Sequence, residues 1–361
     1  MKAAILREVG RLHIEDVELD GPGPDEVRLQ VLASGLCHSD YHIIVGDLAH
    51  GNVPVVLGHE ACGRVEAVGA NVGWLKRGDY VTTCVSAACG GCGECQTGHT
   101  HLCDDRPGNP IDRPMSTRIT QGGKPIRALG NLGGFAEEMV VHHRSVIKIP
   151  ESVPAEAAAL LGCGVLTGVG AVMNGIQVKP GSVVVVIGCG GVGLNVVQGA
   201  RLAGAMRIIA VDTNPAKLAL ARKFGATDVV AGGPDSVAQV LEMTAGGADY
   251  AFEVIGLPHT MRDAFAMLRK RGTAAIIGVP KDGAELAVAI APLLYKELRI
   301  VGSMMGSSPF QQFLPKLAQF YLDGKLLLDE LVSERIALDQ INQGYARMAA
   351  GEVARSVILF P

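Results

Sequence analysis

Aromatic side chains are scarce in this sequence: one tryptophan, six tyrosines and eight phenylalanines among 361 residues. Large rings cannot fill the core, so the aliphatic residues behind the 48% apolar fraction must do so. No charge of one sign prevails, because 32 Lys and Arg face 36 Asp and Glu. The resulting net charge of −4 gives no general pull toward nucleic acid or an anionic membrane surface. Charged residues stop at 19% and the mean hydropathy is +0.28, which excludes a disordered chain. Long apolar runs are expected to be missing as well. No window approaches the roughly 20 residues of a membrane span, and Val183–Ile187 is bounded by glycines. Near the start only Ala3–Leu6 is apolar, so no signal peptide and a cytoplasmic location are expected.

Glycine is plentiful at 47 residues, and the length suits two domains of common size. The nine cysteines are an odd number, and a chain of this size needs no disulfide staples. Cys62, Cys84 and Cys189 read as free buried thiols.

The first third reads as short strands. Val27, Leu29 and Val31 alternate with polar neighbours, and Arg64–Val68 and Asp79–Val85 look similar. From Asp104 to Pro125 the composition turns polar and proline-rich, which predicts one long surface loop. After Pro154 the period changes. Ala155–Leu161 reads as helix, and strands at Val183–Ile187, Arg207–Val211, Ala248–Glu253, Thr273–Val279 and Leu298–Val301 then alternate with helices. That order implies a parallel, doubly wound sheet. Helices near Phe310–Leu322 and Leu338–Met348 and a strand at Ser356–Phe360 form a tail that carries no glycine fingerprint. This tail is expected to rejoin the first domain.

Cys89, Cys92, Cys95 and Cys103 stand in a C-x2-C-x2-C-x7-C spacing, with Gly90, Gly91 and Gly93 letting the backbone wrap one ion. Four thiolates close a tetrahedral shell with no open position, the mark of a structural zinc site. An iron–sulfur centre takes the same ligands, and the rest of the chain decides for zinc. A second set is spread along the chain: Cys37 beside Asp40, His59 beside Glu60, and Cys163 between glycines. Cys37, His59 and Cys163 would leave a fourth position open for water or substrate, as a catalytic zinc requires. Asp40 and Glu60 stand where outer carboxylates would orient the ligands. This donor set resembles that of the catalytic zinc in alcohol dehydrogenases.

With Gly58-His59-Glu60, the four-cysteine lobe, Gly162-Cys163-Gly164 and Phe252–Gly256 in this order, the chain resembles the zinc-dependent medium-chain alcohol dehydrogenases of the long, two-zinc type. The resemblance runs from Val27 to Phe360. It implies an α/β architecture of a GroES-like β-rich catalytic domain over 1–163 and 305–361, with a Rossmann NAD-binding domain over 164–304 inserted between.

Gly188, Gly190 and Gly193 form a GxGxxG directly after a strand, with Gly191 at the helix start and Asp212 ending the next strand. That context makes the motif a dinucleotide fingerprint. Asp212 would accept from the adenosine ribose and repel a 2′-phosphate, which favours NAD over NADP. The resemblance adds Val192, Lys217, Val279, His38 and Arg355 as cofactor contacts. It also implies that zinc acts as a Lewis acid on an alcohol while the nicotinamide takes the hydride. Ser39 and His42 stand at the family's relay positions, where the proton would leave by way of the nicotinamide ribose.

Val85, Leu129, Val279 and Met304 match the substrate wall. Val85 replaces the bulky aromatic of many relatives, which points to substituted or longer alcohols rather than ethanol. Glutathione-dependent formaldehyde dehydrogenases carry acidic residues where this chain has Leu48 and His50, which disfavours that activity. Two alternatives stand beside this reading. One is a nicotinoprotein alcohol dehydrogenase with tightly bound NAD and an external electron acceptor, which the stretch Leu160–Ala171 also resembles. The other is a non-enzymatic zinc module, which the acidic residues around the lobe, with only Arg106 nearby, argue against. A small-molecule alcohol or aldehyde, no nucleic acid, no membrane and a homo-oligomer of two or four chains complete the expectations.

Overall fold

In a computed structural model, which describes residues 1–48, 53–105 and 118–361, strand Glu26–Gly35 buries Val27, Leu29, Val31 and Ala33 and leaves the residues between them more open. It pairs antiparallel with Glu60–Val68, and on its other side with Glu138–His142 and Arg355–Leu359. Val146–Lys148, Tyr80–Thr83 and Val332–Ile336 complete this seven-stranded sheet. A six-stranded sheet begins with the hairpin Lys2–Glu8 and Arg11–Asp16 and ends at Glu18–Leu19. Both sheets belong to a unit made of Met1–Cys163 and Pro309–Pro361. The first hairpin leaves no clear alternation in the sequence, because Ala3–Leu6 is buried there as a continuous run.

The second unit is Gly164–Ser308. It extends past residue 304, the expected boundary, because the Asn174 amide donates to the Ser308 hydroxyl at 2.8 Å. Six parallel strands lie in the order Asp228–Ala231, Arg207–Asp212, Val183–Ile187, Ala248–Glu253, Leu268–Ile276, Arg299–Gly302. Its central strand is four valines and an isoleucine, β-branched residues that suit a strand covered on both faces. Helix Pro215–Phe224 shows how sharply the sequence sets its limits. Asn214 caps the Ala216 amide at 2.9 Å, proline opens the first turn, and Gly225 closes the helix at φ 117°. Strand order reverses beside Val183–Ile187, so the crevice at the carboxyl ends of the strands is the place for a ligand.

Two expectations need correction. The run Asp104–Pro125 is not one loop, since Ile119–Gln121 and Lys124–Ala128 form a hairpin. Its two-residue turn is Gly122-Gly123, both at positive φ, which is what a tight hairpin demands. Residues 106–117 lie outside the described residues. The second correction concerns apolar length. The helical run Ala155–Ile176 spans 22 residues with a hydropathy of 1.7, long and apolar enough to cross a membrane by composition. Yet 78% of its most apolar window is buried inside the protein, the setting of a core helix.

Candidate active site

Three separate elements deliver the first metal-binding set. Cys37 caps helix His38–Ile44, a seven-residue helix too short to leave a periodic signal. His59 precedes strand Glu60–Val68, after a turn at Gly58 with φ 90°. A side chain at Gly58 would strike Phe135, so glycine is required for this approach. Cys163 sits in the π-helical turn Leu161–Val165. Gly162 beside it comes so close to the Thr83 carbonyl that a Cβ would lie 1.8 Å from that oxygen. One ligand atom each from Cys37, His59, Glu60 and Cys163 falls within 4.8 Å of all the others, and all four residues are buried.

Asp40, fully buried, accepts the Gly58 amide at 3.0 Å through Oδ1 and faces His59 Nδ1 at 3.1 Å through Oδ2. The carboxylate favours a proton on Nδ1, which would leave Nε2 for a metal. Burial resists the imidazolium, but the Asp40 carboxylate and Cys37 outweigh it and hold the His59 pKa well above the usual range. The contact with Cys163 brings Cys37 well below the ordinary thiol range, while that contact and burial push Cys163 up. The set therefore stores protons that a divalent cation would displace. Glu60 lies in a buried ion pair with Arg355, and its Oε1 has no hydrogen-bond partner. Two soft sulfurs, one imidazole and an orphaned carboxylate oxygen fit zinc.

The second set is the lobe. Cys89 and Cys95 sulfurs lie 4.0 Å apart, and those of Cys92 and Cys103 lie 3.9 Å apart. A disulfide would need about 2.05 Å, whereas a tetrahedral shell with zinc–sulfur bonds of about 2.3 Å has edges of about 3.8 Å. The Gly91 and Cys92 amides each donate to Cys89 Sγ at 3.3 Å, and the Cys89 amide donates to Cys103 Sγ at 3.3 Å. Amides of Cys95 and Asp104 bring the Cys92 thiol down to about 6. These residues fit a closed zinc site. Among the described residues no cysteine is in a disulfide. Arg106 lies outside the described residues.

At the dinucleotide fingerprint the glycines divide their work. Gly188 turns at φ 96°, and a Cβ there would strike Ile255. Gly193 packs its helix onto the strand so closely that a Cβ would lie 1.8 Å from the Gly188 carbonyl oxygen. Gly190 opens onto empty space, as a backbone that receives a phosphate must. The helix Gly191–Leu202, which includes Val192, starts with no side-chain cap, so its first amides remain available. Asp212 ends its strand with Oδ1 and Oδ2 accepting the Asn214 and Cys189 amides at 2.9 and 2.8 Å. Lys217 lies close enough to act on Cys189. These residues fit a dinucleotide. Glu253, which the sequence reading did not single out as a site residue, holds the next turn: Oε1 accepts from the amides of Ile255 and Gly256 and from the Thr260 hydroxyl.

The remaining expected residues divide between the units. Ser39 and His42 stand three apart, on one face of helix His38–Ile44, and His42 Nδ1 meets Asp47 Oδ2 at 3.2 Å. His38 opens the same helix at the surface, its ring 6.3 Å from that of His42. Arg355, expected at the cofactor, is buried in an ion pair with Glu60 of the metal-binding set. Val85 and Leu129 belong to the first unit, Val279 and Met304 to the second. Leu48 is described, whereas His50 is not. Tyr345, from the far end of the chain, was missed. It is buried, stacks on Tyr41 and meets Phe135 edge-on. No local pattern could have signalled so distant a partner.

Residues 23–151 match the family profile of the alcohol dehydrogenase GroES-like domain, and residues 191–319 that of the zinc-binding dehydrogenases. A crystal structure described as an alcohol dehydrogenase zinc-binding domain protein from Burkholderia ambifaria is 37% identical, covers 100% of this chain and 98% of its own, and superimposes with a TM-score of 0.93. Benzyl alcohol dehydrogenase from Acinetobacter calcoaceticus is 32% identical, with 100% and 99% of the two chains covered and a TM-score of 0.93. A zinc-binding dehydrogenase from Sinorhizobium meliloti 1021, bound to NADP, is 28% identical, with 99% of each chain covered and a TM-score of 0.83. Together the two folds and the paired sites define a metal-dependent oxidoreductase. The chain belongs to the zinc-dependent, medium-chain alcohol dehydrogenase family and is an enzyme of that class.

Proposed function

We propose that this enzyme reversibly oxidises primary or secondary alcohols to aldehydes or ketones with NAD, using one catalytic and one structural zinc. The observation that carries this reading is the buried convergence of Cys37, His59, Glu60 and Cys163 within 4.8 Å. Cys37, His59 and Cys163 hold the catalytic zinc, Asp40 orients His59, and the Glu60–Arg355 pair lies behind them. Cys89, Cys92, Cys95 and Cys103 hold the second ion. When bound, zinc supplies a Lewis acid for the alcohol oxygen, and the nicotinamide supplies the hydride acceptor. Ser39 and His42, on one helix face, move the hydroxyl proton outward, with Asp47 orienting the His42 ring.

Asp212 supports NAD over NADP, since its carboxylate would face a 2′-phosphate with like charge and both its oxygens are held in place. Val85, next to Gly130, and Leu129 supply an aliphatic wall in the first unit. With the benzyl alcohol dehydrogenase likeness, this supports substituted or longer alcohols over ethanol. Nine cysteines outside disulfides suit the cytoplasm. Exposed Ile290, Leu294 and Tyr295 beside the sheet's edge strand Arg299–Gly302 support association with a second copy.

The test is the metal content, absorbance spectrum and kinetics of the purified protein. Two zincs per chain, no bound nicotinamide, and a higher kcat/KM for benzyl alcohol than for ethanol with NAD are expected. A tightly bound nicotinamide would select the nicotinoprotein reading. Loss of zinc without loss of turnover would overturn the mechanism.

A further inference from the structure

Arg144 lies in the short turn His143–Ser145 between strands Glu138–His142 and Val146–Lys148, far along the chain from the cysteine lobe. Its guanidinium donates to the carbonyl of Ala88 at 3.0 Å and to the carbonyl of Cys89, the first lobe ligand. Gly90 follows at φ 77°, and a Cβ there would lie 3.2 Å from Arg144 Nη1, so the guanidinium covers the Cys89–Gly90 peptide. Beyond it the chain turns back, and the Gly91 and Cys92 amides reach Cys89 Sγ. The turn that carries Arg144 is itself fastened. The Arg144 amide donates to His142 Nδ1 at 3.1 Å, and the Ser145 carbonyl accepts the Cys84 amide at 2.8 Å. The lead-in to the lobe is thus tied to one turn at Cys84 and again at Ala88 and Cys89.

Charge gives this arrangement a purpose. Four thiolates around a divalent ion leave two negative charges, and Glu94, Asp104 and Asp105 of the lobe segment add three acidic groups. A guanidinium cannot lose its proton, and a single nitrogen of it, Nη1, reaches both carbonyls. We propose that Arg144 is a positioning residue for the lobe metal: it fixes the Cys89 peptide so that the first thiolate faces the ion, and it offsets the negative charge of the tetrathiolate. This rests on the reading of the lobe as a zinc site. Outer partners of metal ligands are worth roughly ten- to a hundredfold in metal affinity.

The experiment follows zinc leaving the native holoenzyme in the presence of a chelating dye, with cysteine alkylation and mass spectrometry locating the vacated site. In Arg144→Met, alkylation of Cys89, Cys92, Cys95 and Cys103 should run roughly ten- to a hundredfold faster than in wild type, with Cys37 and Cys163 protected as before. Arg144→Lys, which keeps the charge on a shorter side chain, should fall between. Unchanged protection of the lobe in Arg144→Met would overturn the proposal. So would equal acceleration at Cys37 and Cys163, because that reports general loosening. A wild-type lobe that alkylates at once with no zinc released would overturn the zinc reading itself, and the proposal with it.

Discussion

At the scale of single residues, the proposed preference for NAD turns on Asp212. Removing its charge while keeping its shape, as Asp212→Asn does, should weaken NAD and admit NADP. A charged hydrogen bond is worth about 1.5–3 kcal/mol, so the NADP-to-NAD ratio of kcat/KM should rise roughly tenfold or more. A ratio equal to wild type would show that Asp212 does not read the ribose. The proposed proton path makes a second residue-scale prediction. His42→Gln should slow alcohol oxidation roughly tenfold to a hundredfold, with partial rescue by a small exogenous base. Ser39→Ala should cost at least as much, and the double variant no more than the worse single one, because one path is interrupted twice. Additive losses would place the two residues on different paths.

At the scale of elements, the glycine turn separates packing from binding. Gly193→Ala puts a Cβ into the Gly188 carbonyl and forces helix Gly191–Leu202 away from its strand. Its melting temperature should fall by the equivalent of about 1–3 kcal/mol, with NAD binding lost alongside. Gly190→Ala meets no neighbour, so its melting temperature should match wild type while NAD binding weakens. Calorimetry on the two variants checks this, and a destabilised Gly190→Ala would refute the division. The same glycines show why so much of the second unit could be read in advance. Helix Pro215–Phe224 begins and ends where its proline and glycine say it must. Helix His38–Ile44 could not be read, because seven polar and mixed residues hold no period. The hairpin over Ile119–Ala128 carried its Gly122-Gly123 signal, but the surrounding prolines masked it. The Glu60–Arg355 pair joins residues far apart in the chain, a closeness set by strands Glu60–Val68 and Arg355–Leu359 both pairing with Glu26–Gly35.

At the scale of the whole molecule, the scarcity of aromatic residues has an optical consequence. With one tryptophan in 361 residues, all indole emission comes from Trp74, whose N–H donates to His143 Nδ1 at 3.0 Å. His143 stacks on His142, whose Nδ1 accepts the Arg144 amide. Burial lowers the pKa of both imidazoles, aided at His142 by His143 and at both by Arg144, and opposed at both by Asp25. The unfolded chain therefore binds more protons below the ordinary imidazole value of about 6.5. Stability from this pair is complete above that value and declines as the pH falls toward the lower folded values. A nitrogen that accepts the indole proton cannot carry its own, so the same titration must break the Trp74 bond. Emission should stay constant through neutral pH and change as the solution is acidified below the ordinary imidazole range, before the chain unfolds. His143→Phe should abolish the step. The enzyme would then carry its own label-free acid gauge at His143, next in the chain to Arg144, whose guanidinium reaches the Cys89 carbonyl of the cysteine lobe.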